Sequence, residues 1–298
     1  MVFKRYQNNP IIKPDPNREY EKNFTYNPCA IVHNNEIYLI YRAEGDSDVS
    51  TLCLATSNDG YNFTKYNLNP IIKPTIPEEK GGCEDPRIIK IDNTFYLTFT
   101  AYNGMQPVTS ATINTAFAVS NDLFNWEKKG ILVKGIKAAT IFSEKINEKY
   151  LMLIGGEYIK LGWSSDLFNW EIEDKPILDV REGKFDDRYV EVGPQPLVFQ
   201  DKLVLFFNTA DKQGVFHPSL AILDKKDPHR VIYRADTPLM TPAQDYELKG
   251  KVKNVIFGTG LVEFNSQYFY YYGAADKYVC LATIEKDILE EYLTGLIS

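Results

Sequence analysis

The sequence predicts an all-β protein, a five-bladed β-propeller with a short C-terminal helix, on three observations. An aromatic-rich strand pattern returns five times: EIYLIYRA around Tyr38, TFYLTFTAY around Tyr96, EKYLMLIGGE around Tyr150, DKLVLFFNTAD around Leu203 and SQYFYYYGAAD around Tyr268. The anchors lie 58, 54, 53 and 65 residues apart, room for about four short strands each. Each strand follows a polar turn (HNNE, IDNT, INEK, FQD, FNSQ) that itself follows an apolar run such as AIVH, RIIKI or LVEF, the pattern of a hairpin. Only IEKDILEEYLTGLIS at the end of the chain has helical spacing, with Ile284, Ile288, Leu289, Tyr292 and Leu293 on one face, and it is expected to pack on the outside.

Further along each unit, SNDGYNF from Ser57, SNDLFNW from Ser120 and SSDLFNW from Ser164 repeat one motif. Asp59, Asp122 and Asp166 suit a tight turn, with Phe63, Trp126 and Trp170 packing beneath it. A third element ends each unit: NPIIKP at Asn9 and Asn69, KGILVKG near Ile131, KPILDV near Ile177 and TPLMTP near Leu239. One blade cannot bury both its faces, whereas blades around an axis bury each face on a neighbour and leave only short edges. No Gly/Ser/Pro-rich linker interrupts the period, as stacked sandwiches would require, so residues 1–298 read as a single domain.

Composition narrows the partner. The 20 Tyr, 17 Phe and 3 Trp favour strands and a surface on which rings stack. A net charge of −7 without a Lys/Arg cluster argues against nucleic acid and anionic membranes and for a neutral small ligand. Cys29, Cys53, Cys83 and Cys280 are far apart and there are three histidines, so no metal site or cofactor is expected and the thiols read as buried and free. The N-terminus lacks an apolar signal core and no stretch of about 18 apolar residues occurs, which points to a cytoplasmic protein.

In a propeller, polar residues at strand ends near the axis are the candidates for a site. CEDPR supplies Glu84, Asp85 and Arg87; YRAEGD supplies Arg42, Glu44 and Asp46; IGGE, YVEVGPQP and GAAD supply Glu157, Glu191 and Asp276. Carboxylates from five blades with tyrosines beside them are the ingredients of a sugar site. His33, His217 and His229 read as turn or loop residues, and neither G-x-S-x-G nor a phosphate-cradling Gly loop occurs, so carboxylate chemistry on a glycosidic bond is the simplest reaction class.

The succession NPCAIVHNNEIYLIYRAEGD, SNDGYNF, CEDPR, FSEKINEKYLML, SSDLFNW, the VGPQP turn, DPHRVIYRADTPLMTPAQDYE, KNVIFGTGLV and YYYGAADKYVCLAT resembles glycoside hydrolase family 130 in order over nearly the whole chain. The resemblance implies a five-bladed propeller acting on β-mannosides, either as a phosphate-dependent phosphorylase or as an inverting β-1,2-mannosidase. It implies that Asp85 is the general acid, protonating the leaving oxygen through a sugar hydroxyl. It also implies that Asn27, Arg42, Asp46 and Asp276 hold the first mannosyl unit, and that Arg87 orients Asp85. Tyr102, opening the 102–112 loop, joins the candidate sugar contacts, and dimers or larger assemblies are in keeping with the family.

The departures from the phosphorylase pattern shape the expected activity. Where family phosphorylases carry a His-Arg-Pro run, this chain reads Ile154-Gly155-Gly156-Glu157, and Tyr189 and Asn208 replace a Lys and a His. Lys137 is retained, while Arg188 is shifted by one position, which on a strand turns a side chain to the other face. A dianionic phosphate needs charge-assisted partners worth about 1.5–3 kcal/mol each. Phosphate binding is therefore expected to fail, with Glu191 and Glu157 activating a water instead. The sequence reading is an inverting exo-β-mannosidase for β-1,2-linked manno-oligosaccharides. The alternatives are a phosphorylase releasing mannose 1-phosphate, which keeps Lys137 and Arg188 as anion contacts, and a non-catalytic mannoside-binding propeller.

Overall fold

All five polar turns fold as two-residue hairpin loops, flanked by the pairs His33–Glu36, Ile91–Thr94, Ile146–Lys149, Phe199–Lys202 and Phe264–Gln267. Such loops match the strand twist only with left-handed backbone. Asn34, Asn35, Asp92, Asn147, Glu148, Gln200, Asn265 and Ser266 adopt it. The Asn and Asp side chains that mark these turns are the non-glycine residues that tolerate it best.

The computed structural model describes residues 3–297. After a two-residue strand β1 (Lys4–Arg5), blade 1 comprises β2 (Phe24–His33), β3 (Glu36–Glu44), β4 (Thr51–Ser57) and β5 (Thr64–Lys65). Blade 2 follows as β6 (Gly82–Ile91), β7 (Thr94–Tyr102), β8 (Ile113–Ser120) and β9 (Glu127–Lys134). Blade 3 is β10 (Ala139–Ile146), β11 (Lys149–Ile154), β12 (Ile159–Ser164) and β13 (Glu171–Leu178). In blade 4 the inner position is shared by β14 (Tyr189–Val192) and β15 (Leu197–Phe199), interrupted at Gly193–Pro196 where two prolines cannot donate; β16 (Lys202–Ala210), β17 (Phe216–Asp224) and β18 (Val231–Arg234) complete it. Blade 5 holds β19 (Ile256–Phe264), β20 (Gln267–Ala274) and β21 (Tyr278–Glu285), and β1 is its outermost strand.

The ring thus closes through a strand with no signature in the sequence, Lys4 pairing with Thr283 and Arg5 with Ala282. The core is not one mass but five clusters, one between each pair of neighbouring blades, which is the burial that closure requires. Tyr41, Tyr270, Tyr271, Tyr272 and Phe206 are fully buried there. Much of the aromatic excess is therefore spent between blades rather than on a stacking surface. The four cysteines are buried and free. The C-terminal helix α2 (Lys286–Ile297), which follows a four-residue α1 (Asp245–Leu248), buries Leu289 and Leu293, while Ile284 belongs to β21. Among the described residues no helix is long and apolar enough to cross a membrane.

The repeated SND motif is a structural device. The Asp122 carboxylate accepts the N–H groups of Phe124 (2.9 Å) and Asn125 (2.8 Å) and the Asn125 amide (2.8 Å), while the Ser120 hydroxyl accepts from Leu123. The same bonds recur at Asp59 and Asp166. His33 and His217 lie on β2 and β17 rather than in loops, and His217 is buried.

Candidate active site

Two innermost strands carry the same irregularity. Register breaks between Tyr26 and Cys29 on β2 and between Glu84 and Arg87 on β6, leaving Asn27-Pro28 and Asp85-Pro86 as bulges. Asn27 and Asp85 have φ of 45° and 49°, although a residue before proline normally stays extended. Such strain costs about 1–3 kcal/mol and is kept where a side chain must be re-aimed. Here it brings the two together: Asn27 Nδ2 donates to Asp85 Oδ1 at 2.9 Å.

Both open into a cavity of about 1300 Å³ to which all five blades contribute. Of the twelve residues expected from the sequence to be catalytic or substrate-binding (Asn27, Arg42, Asp46, Asp85, Arg87, Tyr102, Lys137, Glu157, Arg188, Glu191, Asn208 and Asp276), eight line it. Blade 1 gives Asn27 and Arg42, and blade 2 gives Asp85 and Tyr102. Lys137 and Glu157 come from blade 3, Arg188 from the approach to blade 4, and Asp276 from blade 5. Arg188 lies just ahead of β14, so the alternation expected of a strand residue does not apply, and both it and Tyr189 face the cavity. This corrects the expectation that a one-residue shift removes it.

Arg42 organises the acidic side of the site. It donates to Glu44 (2.7 Å), Glu84 (2.7 Å), Asp85 (3.3 Å) and the Ser50 hydroxyl (2.9 Å), and stacks over the Tyr26 ring at 4.7 Å. Glu44 is wholly buried and also pairs with Lys251 of blade 5 and accepts from the Tyr26 hydroxyl. Burial pushes the Asp85 carboxyl up, but Arg42, Lys137, Arg87 and the Asn27 hydrogen bond outweigh it and hold it below its ordinary value. Its neighbours go the other way. Burial lifts Glu84 against the pull of Arg42, with the Asp85 charge adding to the rise. Burial lifts Asp276 to about 7, Arg42 opposing and Asp85 reinforcing. The site therefore couples an ionised Asp85 to two carboxyls that retain protons more readily.

Four of the twelve are not on the cavity wall. Asp46 is on the surface, paired with Lys22 and accepting from Asn23 at 3.1 Å, and Ser47 and Asp48 of the same loop line the cavity in its place. Asn208 is buried and locks blade 4 to blade 5, exchanging two hydrogen bonds with the Gly258 backbone (3.0 and 2.8 Å). Arg87 donates to the carbonyls of Asp85 (2.6 Å) and Val192 (2.6 Å) and to Glu191 Oε1 (3.0 Å). It thus fixes the Asp85 backbone rather than its carboxylate. Two residues past Asp85, it lines a separate cavity of about 210 Å³.

Glu191 differs most from the sequence reading. It is fully buried, behind Lys137 and Tyr189, with Arg87 on one oxygen and Lys137 Nζ on the other at 2.7 Å; the Tyr189 hydroxyl donates to it as well. A glycine makes this packing feasible: a Cβ on Gly156 would sit 2.9 Å from Glu191 Oε2, Lys137 Cε and the Tyr189 hydroxyl. Burial works against the Lys137 ammonium, yet the Glu191 charge keeps its pKa well above the ordinary value. The expected acidification of the pocket by two glutamates thus reduces to Glu157, which is exposed on the cavity wall. Sequence reasoning passed over Lys251, Phe216 and Phe257 of the wall, which carry no motif and arrive from loops or strand ends.

The Glyco_hydro_130 family model, described as beta-1,4-mannooligosaccharide phosphorylase, matches residues 3–293. A beta-1,2-mannobiose phosphorylase of Thermoanaerobacter sp. (strain X514) is 34% identical over 95% of this chain and 97% of its own. A 1,2-beta-oligomannan phosphorylase of the same strain is 33% identical over 96% and 98%. Among solved structures, one described under "the GH130 family of mannoside phosphorylases contains glycoside hydrolases that target beta-1,2 mannosidic linkages in Candida mannan" superposes with a TM-score of 0.88 at 29% identity, over 96% of this chain and 94% of that one.

Proposed function

The chain belongs to glycoside hydrolase family 130 and is an enzyme acting on mannosides; on that premise we propose that it removes terminal β-1,2-linked mannose with orthophosphate as acceptor, releasing mannose 1-phosphate. The observation that carries this reading over hydrolysis is the neutralisation of Glu191. With Arg87 and Lys137 on its two oxygens and no share of the cavity wall, it is not placed to deprotonate a water. The same arrangement leaves a positive balance around it. Arg188, also on the cavity wall, forms no ion pair among the described residues. Lys137 and Arg188 are then the arms that hold a phosphate dianion, each charge-assisted bond contributing about 1.5–3 kcal/mol.

In this mechanism the first mannosyl unit sits at the bulges, held by Asn27, Arg42 and Asp276, with Asp85 delivering the proton. A phosphate oxygen attacks the anomeric carbon from the face opposite the leaving group as the glycosidic C–O bond breaks. The leaving oxygen gains a proton from the Asp85 side, and the anomeric configuration inverts. Asp85 is held below its ordinary pKa in the free site by Arg42, Lys137, Arg87 and Asn27; substrate hydroxyls that take up the Arg42 and Asn27 hydrogen bonds would ease it towards the protonated form that the step uses.

One observation favours hydrolysis as a second reading: Glu157 is exposed on the wall and free to orient a water. Incubating β-1,2-mannobiose with and without orthophosphate separates the two. Phosphorolysis requires mannose 1-phosphate and mannose in equal amounts and negligible cleavage without phosphate. Two mannose molecules per substrate, at a rate indifferent to phosphate, would establish hydrolysis.

A further inference from the structure

Large apolar side chains left exposed are few, and three of them line the same cavity. Of the eight among the described residues, Met105 (64% exposed), Val108 (54%) and Val252 (38%) all lie on the wall of the large cavity. Met105 and Val108 belong to the connection between β7 and β8, and Val252 to the segment that enters blade 5. None of the three contributes to the core clusters, so folding does not account for their positions.

The backbone of the loop that presents Met105 and Val108 is braced by hydrogen bonds. The Tyr102 hydroxyl donates to the Met105 carbonyl (3.0 Å) and accepts from the Gln106 amide (2.9 Å). Met105 N–H donates to Asn103 Oδ1 (2.9 Å), and Thr109 N–H to the Thr112 hydroxyl (2.8 Å). Its base is pinned where two glycines meet: a Cβ on Gly81 would lie 2.4 Å from the Gly104 Cα. A preorganised apolar ledge binds without paying for ordering on contact.

The cavity also exceeds what its innermost ligand needs. At about 1300 Å³ it is larger than the roughly 300–1000 Å³ of ordinary small-molecule sites. With the first mannosyl unit at the Asn27 and Asp85 bulges of the innermost strands, the leaving part of the substrate extends towards the loops. We propose that Met105, Val108 and Val252 form a binding ledge for the second and later sugar units of the leaving chain, so that the enzyme selects oligosaccharides over the disaccharide. Sugar rings present C–H faces, and these gain from contact with apolar side chains carried on a braced loop even where the hydroxyls remain in water. The ledge rests on the mannoside reading but not on which acceptor, phosphate or water, takes the sugar.

The test compares initial rates on β-1,2-mannobiose and β-1,2-mannotetraose, with orthophosphate present, for the parent, the double variant Met105→Ser/Val108→Ser and the conservative Met105→Leu. Loss of the starting oligosaccharide is quantified, a quantity that is the same whether phosphate or water is the acceptor. The parent should favour the tetrasaccharide in kcat/KM by roughly fivefold. The double variant should bring that ratio close to one through KM, with kcat retained, while Met105→Leu keeps the preference. An unchanged ratio in the double variant, or a parent without preference, overturns the ledge. Cleavage of neither sugar by the parent overturns the mannoside reading along with it.

Discussion

Replacing Glu191 by Gln tests whether this residue is an electrostatic anchor or a base. The substitution keeps shape but removes the anion facing two cations. Lys137 is 24% exposed and can turn to solvent in the cavity, so its loss of a partner costs little. Arg87 is 2% exposed and remains tied to the carbonyls of Asp85 and Val192. An uncompensated buried charge of this kind costs about 3–5 kcal/mol. Because Gln can still accept one Arg87 bond, about 3 kcal/mol is expected, a fall in melting temperature of about 5 °C for a domain of this size. Thermal unfolding followed by circular dichroism reads it directly. Phosphorolysis should weaken chiefly through KM for phosphate, since the Lys137 arm loses its tether. A variant as stable as the parent, with its rate restored by azide as a glycosyl azide, would refute the anchor and return Glu191 to the role of base.

Asp85→Asn should lower turnover by about 10²–10⁴-fold while oligosaccharide binding measured calorimetrically persists; a near-normal rate would show the acid to be another group. Glu157→Gln should leave phosphorolysis within a few-fold of the parent, whereas a collapse of activity would support its use in activating water. Asp276 retains its proton up to about 7, so between its ordinary pKa and that value the folded chain binds more protons than the unfolded one, and stability falls as pH rises through this window. Asp276→Asn should abolish that slope, melting higher than the parent at about pH 8 and close to it at about pH 4; parallel curves would contradict it. Burial opposes ionisation of Asp59 and Asp122, but donation from Asn62 and Asn125 prevails and brings both to about 2. Their turns should therefore hold at neutral pH and loosen only as pH falls from about 4 towards about 2, and Asp122→Ala should cost about 1 kcal/mol at neutral pH, read by denaturant unfolding.

The fold was legible because its signals are local. Two-residue turns such as Asn34-Asn35 and Asn265-Ser266 have a fixed chemistry, and the SND motif at Asp59, Asp122 and Asp166 satisfies its own backbone within a few residues. The closing strand β1 was not legible, because two residues, Lys4 and Arg5, carry no period. At the site, Asp85 and Asp276 could be placed on the cavity from their positions at strand ends, and Asn27 from the family resemblance. Partner choice across the ring could not. Nothing near Glu191 in the chain announces that Arg87, 104 residues away, and Lys137 will neutralise it, or that Gly156 makes room for the cluster. Asn208 likewise faces the Gly258 backbone instead of the cavity, a pairing fixed by the packing of two blades.

The acceptor itself decides the central claim. Cleavage of β-1,2-mannobiose in ¹⁸O-labelled water with orthophosphate present should yield mannose 1-phosphate free of label at the anomeric oxygen, and unlabelled mannose once exchange of the free sugar is corrected for. Label entering the anomeric position of the transferred mannose at the moment of cleavage would show that water, not phosphate, attacks, and would contradict the account.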